Sequence, residues 1–240
     1  MTRVQIPERA FFKNIFGLKK MRSLIPDEKL ALIKVRDNRE KLVNLKKFCP
    51  EIIVQMDPEA VKLEGFKSDE CYVREGVAKR LCAAAKSLPD GIKLVVTDGY
   101  RTMEAQRRMH IRLVRNLKRK HPDWSEEKVI ATADLYVANP DEMVLHPTGG
   151  AVDVTLAGPD GKKLDMGSEI DAFLSKSSFD SHRISKAARK NRSLLKKAME
   201  AQGFVNYPLE WWHWSYGDAY WAAKLKKRFA IYGVVYFSKK

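Results

Sequence analysis

Lys93-Leu94-Val95-Val96-Thr97-Asp98-Gly99-Tyr100-Arg101 is the stretch on which the reading of the fold turns. Its first five residues are compact and rich in β-branched side chains, which predicts a strand. Gly99 permits a sharp bend, so Arg101 is left at the strand's end, where functional side chains often stand. Working upstream, Val73, Val77, Leu81 and Ala84 recur at helical spacing, predicting a helix over 71–88 that Pro89-Asp90-Gly91 closes with a turn. Downstream, 103–120 reads as a long helix whose exposed face carries Arg107, Arg108, Arg112, Arg115, Lys118 and Arg119. A second helix is expected to begin near Asp123, where Asp123 and Glu126 have capping-box spacing, and Asn139-Pro140 closes that segment. Two short apolar strands follow, over 151–156 and 211–215, separated by a basic helix over 185–202 that stops at Gly203. Helices and strands arrive in blocks, so the expected class is α+β, with a central, mainly antiparallel sheet flanked by helices.

The 240 residues, 45% of them hydrophobic, suit one catalytic domain, placed at 51–240, with a basic helical extension at 1–50. In that extension Phe11, Phe12, Ile15, Phe16 and Leu18 alternate with Lys13, Lys19 and Lys20, a pattern for a helix that docks on the domain or lies on a membrane. No apolar run is long enough to span a bilayer and the first thirty residues lack a secretory apolar core, so the expected address is the cytoplasm. Cys49, Cys71 and Cys82 are odd in number and form no C-x-x-C pair, which reads as three reduced thiols. The 45 Lys and Arg against 30 Asp and Glu give a formal charge of +15 and favour contact with polyanions. No base-reading motif accompanies that charge, so the expected outlets are weak attraction to anionic lipid or an acidic wall polymer rather than nucleic acid.

A hydrolytic zinc site needs three nitrogen or oxygen ligands, an open position for water and a nearby carboxylate to take a proton. His146 and Asp153 bracket the Gly149-Gly150 turn, so a loop ligand and a strand ligand can converge. His213 comes from the far end of the chain, and Glu210 precedes it by three residues within Glu210-Trp211-Trp212-His213-Trp214. Residues three apart on a regular strand face opposite ways, so a shared site requires a bulge or turn between Glu210 and His213. The tryptophans would wall the site off from water. The other histidines, His110, His121 and His182, fall in basic stretches that suit exposure.

Taken together, Asp98-Gly99-Tyr100-Arg101, His146-Pro147-Thr148-Gly149-Gly150-Ala151-Val152-Asp153 and Glu210-Trp211-Trp212-His213 resemble, in order and spacing, the signatures of VanX-type D-alanyl-D-alanine dipeptidases and their zinc D,D-carboxypeptidase relatives. The resemblance covers about residues 71–218. It implies one Zn2+ on His146, Asp153 and His213, Glu210 as the base that later passes its proton to the leaving amine, and Arg101 as the oxyanion donor. It also implies that Asp171, following Met166-Gly167, binds the free ammonium group of a small D-amino-acid peptide. Three positions depart from the pattern: Val144 replaces a Ser, Thr102 replaces a Pro, and residues 51–66 lack the expected Tyr. A zinc carboxypeptidase or endopeptidase acting on longer wall-derived peptides is the rival reading, and Asp171 discriminates, because a carboxylate that closes the pocket admits only short substrates.

Overall fold

The computed structural model describes residues 24–236 apart from 65, 143, 173 and 174. The amphipathic pattern at 11–20 lies outside the described residues. Seven strands occur among the described residues: β1 (Leu42–Asn44), β2 (Ile53–Val54), β3 (Tyr72–Arg74), β4 (Lys93–Asp98), β5 (Ala151–Ala157), β6 (Val205–Asn206) and β7 (His213–Ser215). The helices in chain order are α1 (Asp27–Ala31), α2 (Leu45–Phe48), α3 (Pro58–Glu64), α4 (Glu75–Lys86), α5 (Met103–Lys120), α6 (Glu126–Asp134), α7 (Lys186–Ala201) and α8 (Ala219–Lys224). The central sheet runs β2-β4-β5-β7-β6, and every pairing in it is antiparallel except β2 with β4. This is the α+β architecture expected.

β5 is the middle strand and is buried along its whole length. Alternation sends Val152, Val154 and Leu156 into a core shared with Val77, Leu81 and Ala84 of α4 and Leu195, Ala198 and Met199 of α7. Each buried Val, Leu or Met among them contributes about 1.5–3 kcal/mol by leaving water, and each alanine less. The same alternation sends Asp153 to the opposite face, which is therefore the face that can carry chemistry.

Local signals decide where the elements start. The Thr102 hydroxyl accepts from the Ala105 N–H and starts α5, whose last turn holds Lys118, Arg119 and Lys120 against the negative end of the helix dipole. Ser185 caps α7 on the Ala188 N–H, and Gly203 follows its end at φ 80°.

Four expectations need correction. The helix expected over 71–88 begins only at Glu75, because residues 72–74 pair with β1; Cys71 and Val73, two apart and both fully buried, obey a strand's period. Ser125 rather than Asp123 caps α6, accepting from the Lys128 N–H, so the helix starts at Glu126. The strand expected over 211–215 is confined to His213–Ser215, with Trp211 and Trp212 in the turn before it. Cys49 and Cys82 are joined as a disulfide, leaving only Cys71 free. Their separation of 33 residues hid the pair, while the packing of α2 and α4 brings their Cα atoms to 5.9 Å.

Of the basic stretch 1–50, the described part holds α1, β1 and α2, and Leu45 is fully buried in the main core. Arg74 fastens this part to the rest: it donates to the Glu40 and Thr148 carbonyls, to the Asp37 carboxylate and to the Gly233 carbonyl.

Candidate active site

Strand register assembles the site. On β4 a bulge between Val96 and Asp98 sets two residues against one of β5, which places Asp98 opposite Asp153. Asp153 in turn lies opposite His213 on β7. Three neighbouring strands thus present Asp98, Asp153 and His213 in one row. His146 enters from the short 3-10 turn His146–Thr148, which ends at Gly149 with φ 71°, a left-handed conformation natural to glycine. A Cβ at Gly149 would also lie 2.6 Å from a Leu42 methyl.

The four groups are buried and close. His213 Nδ1 is 3.1 Å from Asp153 Oδ1 and 3.3 Å from His146 Nε2, and His146 Nε2 is 3.6 Å from Asp153 Oδ1. Glu210 Oε2 stands 3.9 Å from His213 Nδ1. The turn that brings Glu210 and His213 to one side is held by Asn206, whose amide donates to both the Glu210 and the His213 carbonyls. The expected irregularity is therefore present. Trp211, Trp212 and Trp214 are each at most 2% exposed and keep the strand's surroundings dry.

The donor set fits a zinc ion. Bonds of 2.0–2.1 Å in a tetrahedral shell put neighbouring ligand atoms about 3.4 Å apart, and the three separations bracket that figure. His146 Nδ1 lies 2.8 Å from the Gly99 carbonyl, so its proton belongs there and Nε2 presents a lone pair. Burial, then the charge of Arg101, lowers the His146 pKa to about 3, so the ring is neutral at ordinary pH. Burial, then the charges of Asp153 and Asp171, push the Glu210 carboxyl well up, with Arg101 opposing. A cation among the three ligands would offset those carboxylates.

Arg101 is buried at 7% exposure beside this cluster. Nη2 pairs with Asp98 at 2.5 Å and Nη1 donates to Gln106 at 2.8 Å, whereas Nε has no partner among the described residues. Both terminal nitrogens of the guanidinium are thus engaged. Gln106 donates in turn to the Ala138 carbonyl.

A cavity of about 340 Å³ opens on these groups, and Arg101, His146, Asp153, Asp171, Glu210 and His213 all line it. A second cavity of about 780 Å³ shares Asp57 and Asp171 with the first. Asp171 is solvent-accessible within this space and has φ 56°, an uncommon value for a residue other than glycine. Desolvation by the surrounding protein, then the charge of Asp153, push its carboxyl up to about 7.

All six residues singled out from the sequence therefore face one cavity. Two contributors were missed there: Asp98, quoted in the motif but given no role, and Gln106. The remaining histidines divide. His182 is exposed and His121 stacks on Trp124, but His110 is buried and 2.7 Å from Asp134, contrary to the exposure expected of it. The packing of α5 against α6 buries His110, and α5's basic composition concealed that contact.

A family model described as D-ala-D-ala dipeptidase matches residues 60–232. Among named relatives, a D-alanyl-D-alanine dipeptidase of Synechocystis sp. is 29% identical over 181 residues, covering 65% of this chain and 73% of that protein. One of Escherichia coli strain K12 is 30% identical over 151 residues, covering 58% of this chain and 65% of that protein. One of Enterococcus faecalis is 32% identical over 134 residues, covering 53% and 64%. Similar solved structures include a vancomycin-resistance D,D-pentapeptidase VanY variant in complex with Zn(II), at 20% identity and TM-score 0.44 over 82% of this chain and 92% of that one. The LD-carboxypeptidase LdcB aligns at 20% identity and TM-score 0.43 over 85% of each chain.

Proposed function

The chain belongs to the D-ala-D-ala dipeptidase family of metallopeptidases, and from that premise we propose that it hydrolyses the peptide bond of D-alanyl-D-alanine or a similar D-amino-acid dipeptide, using one Zn2+ per chain. The observation that carries the reading is the convergence of His146, Asp153 and His213 with Glu210 and Arg101 on one cavity.

In this reading His146 Nε2, Asp153 Oδ1 and His213 Nδ1 hold the zinc. When bound, zinc supplies Lewis acidity that polarises a carbonyl and makes water a better nucleophile near neutral pH. Glu210 accepts the proton of the attacking water and returns it to the leaving amine. Arg101 Nε–H, without a partner among the described residues, donates to the oxygen on which negative charge develops, and Asp98 and Gln106 prevent the guanidinium from turning away. Asp171 meets the ammonium group of the dipeptide, which restricts the substrate to a free amino terminus.

The second cavity, beyond Asp57 and Asp171, favours one alternative, a carboxypeptidase or endopeptidase whose longer peptides pass Asp171 into that space. Release of D-alanine from D-alanyl-D-alanine, beside an N-acylated dipeptide, separates the two. Cleavage of the free dipeptide alone supports the dipeptidase, cleavage of the blocked one alone supports the alternative, and cleavage of neither by zinc-loaded protein rejects both.

A cytoplasmic address is part of the proposal. Among the described residues no helix is long and apolar enough to cross a membrane. The Cys49–Cys82 disulfide pulls against that address, since cytosolic thiols are kept reduced. Alkylation under denaturing conditions, on cells quenched in acid so that thiols cannot exchange, decides the matter: three modified cysteines fit the cytoplasm, and one, the otherwise buried Cys71, fits an oxidising compartment.

A further inference from the structure

α7 reads in the sequence as a basic, solvated helix, yet Arg192 on it is 1% exposed. Every hydrogen bond of its guanidinium among the described residues goes to a main-chain carbonyl. Nε donates to Met166 at 2.7 Å, Nη1 to Ser178 at 2.6 Å and Phe179 at 3.2 Å, and Nη2 to Lys176 at 2.7 Å. The face of Trp211 lies 5.5 Å away. Burial lowers the Arg192 pKa to about 10, with Asp165 and Asp180 opposing, so the group remains charged at neutral pH. A buried cation is costly unless its donors are satisfied. Here they are satisfied by the two flanks of one loop, 166–179.

Asp171 sits between those flanks. The same loop is fastened at Asp165, whose carboxylate accepts from the Ser185 hydroxyl and whose carbonyl accepts from the Asn191 amide. At Gly167, with φ 86°, a Cβ would come within 2.6 Å of Ile184, so the loop is seated tightly on the start of α7. It is also joined to the turn bearing Glu210, because the Trp211 indole donates to Ser168 and the Trp211 N–H to the Ser177 carbonyl. A left-handed Asp171 persists only where its surroundings impose that conformation.

We infer that Arg192, which does not line the cavity, is a positioning residue for substrate selection: by clamping both flanks of the 166–179 loop it holds Asp171 where a substrate ammonium group can meet it. The inference rests on the reading of Asp171 as the ammonium partner, and it assigns α7 a function unrelated to its surface charge. Lysine could retain the charge at 192 but not the forked geometry that reaches four carbonyls.

The test is steady-state hydrolysis of D-alanyl-D-alanine by zinc-loaded full-length protein. Arg192→Lys is expected to raise KM about tenfold, as losing charge-assisted hydrogen bonds would, with kcat within about twofold and zinc content unchanged. Asp171→Asn should raise KM at least as much, and the double variant should be no worse than Asp171→Asn alone, because the two act through one contact. An unchanged KM in Arg192→Lys, or fully additive losses in the double variant, overturns the inference. An unchanged KM in Asp171→Asn removes the underlying reading instead. Should Arg192→Lys fail to fold, Asn191→Ala, which removes one exposed anchor of the same loop, is expected to raise KM about twofold; no rise there is equally decisive against the clamp.

Discussion

The row of candidate metal ligands and the loop that carries Asp171 face the same cavity but are held in different ways. Asp153 and His213 are cross-strand neighbours in a hydrogen-bonded sheet, so the backbone ladder that makes the fold also fixes their separation. Asp171 has no ladder; its place depends on Arg192, Asn191 and Ser185 reaching loop carbonyls and Asp165 from a helix. Chemistry placed on strand register resists perturbation from outside the site, whereas selectivity placed on a clamped loop can change through residues that never meet substrate.

That contrast is breakable in graded steps. His213→Ala should have the largest effect, eliminating both bound zinc and hydrolysis, as elemental analysis and turnover would show; retained stoichiometric zinc would remove His213 from the ligand set. Next, Glu210→Gln should keep zinc but lower kcat by about 10²–10⁴, the usual range for a lost general base. Arg101→Lys should lower kcat by about 10²-fold with zinc unchanged, because an ammonium's donors sit on a single nitrogen and cannot span Asp98, Gln106 and an oxyanion as the planar guanidinium does. Asp171→Asn belongs below these, with its effect in KM rather than kcat. If it instead abolished zinc binding, ladder and loop would not be separable.

The smallest effect lies far from the cavity. Although partial burial raises it, the Asp37 carboxyl is held below its ordinary value by the Gly233 and Arg39 N–H groups and by Arg74. A depressed carboxyl contributes stability above its unfolded pKa of about 3.9 and loses it as pH falls through the lower folded value. Asp37→Asn should therefore cost about 1 kcal/mol in urea unfolding at pH 7, discounted for solvent screening. The gap between variant and wild type should close as pH falls through the depressed folded value; a gap that persists in acid would show that charge is not the source.

Much of the ladder was legible in the sequence. Val95, Val96 and Thr97 carry β-propensity, the helix of 103–120 carries a polar stripe, and the Glu210-to-His213 spacing demanded a turn. The candidate ligand set was read from donor chemistry and from motif resemblance, and the structure adds a reason it converges, the strand pairing that sets Asp153 opposite His213. What stayed hidden depends on long-range partners. β1 and β3 are three residues each and gain meaning only from each other. His110 and Arg192 look like members of solvated basic helices until the packing of Asp134 and of the 166–179 loop against them is known. Cys49 and Cys82 are paired by helix packing rather than by spacing.

The sheet order carries a consequence for how the molecule is made. Sixty positions separate Asp153 from His213, and β7, which bears His213, is the last strand among the described residues yet pairs directly with the central β5. A nascent chain emerging from its amino end therefore exposes His146 and Asp153 well before their third companion. Such non-local pairing is slow, because loop closure precedes the reward of contact. Until β7 docks, the growing polypeptide holds only part of the proposed coordination shell, so capture of an ion there would coincide with closure of the sheet, late in biosynthesis.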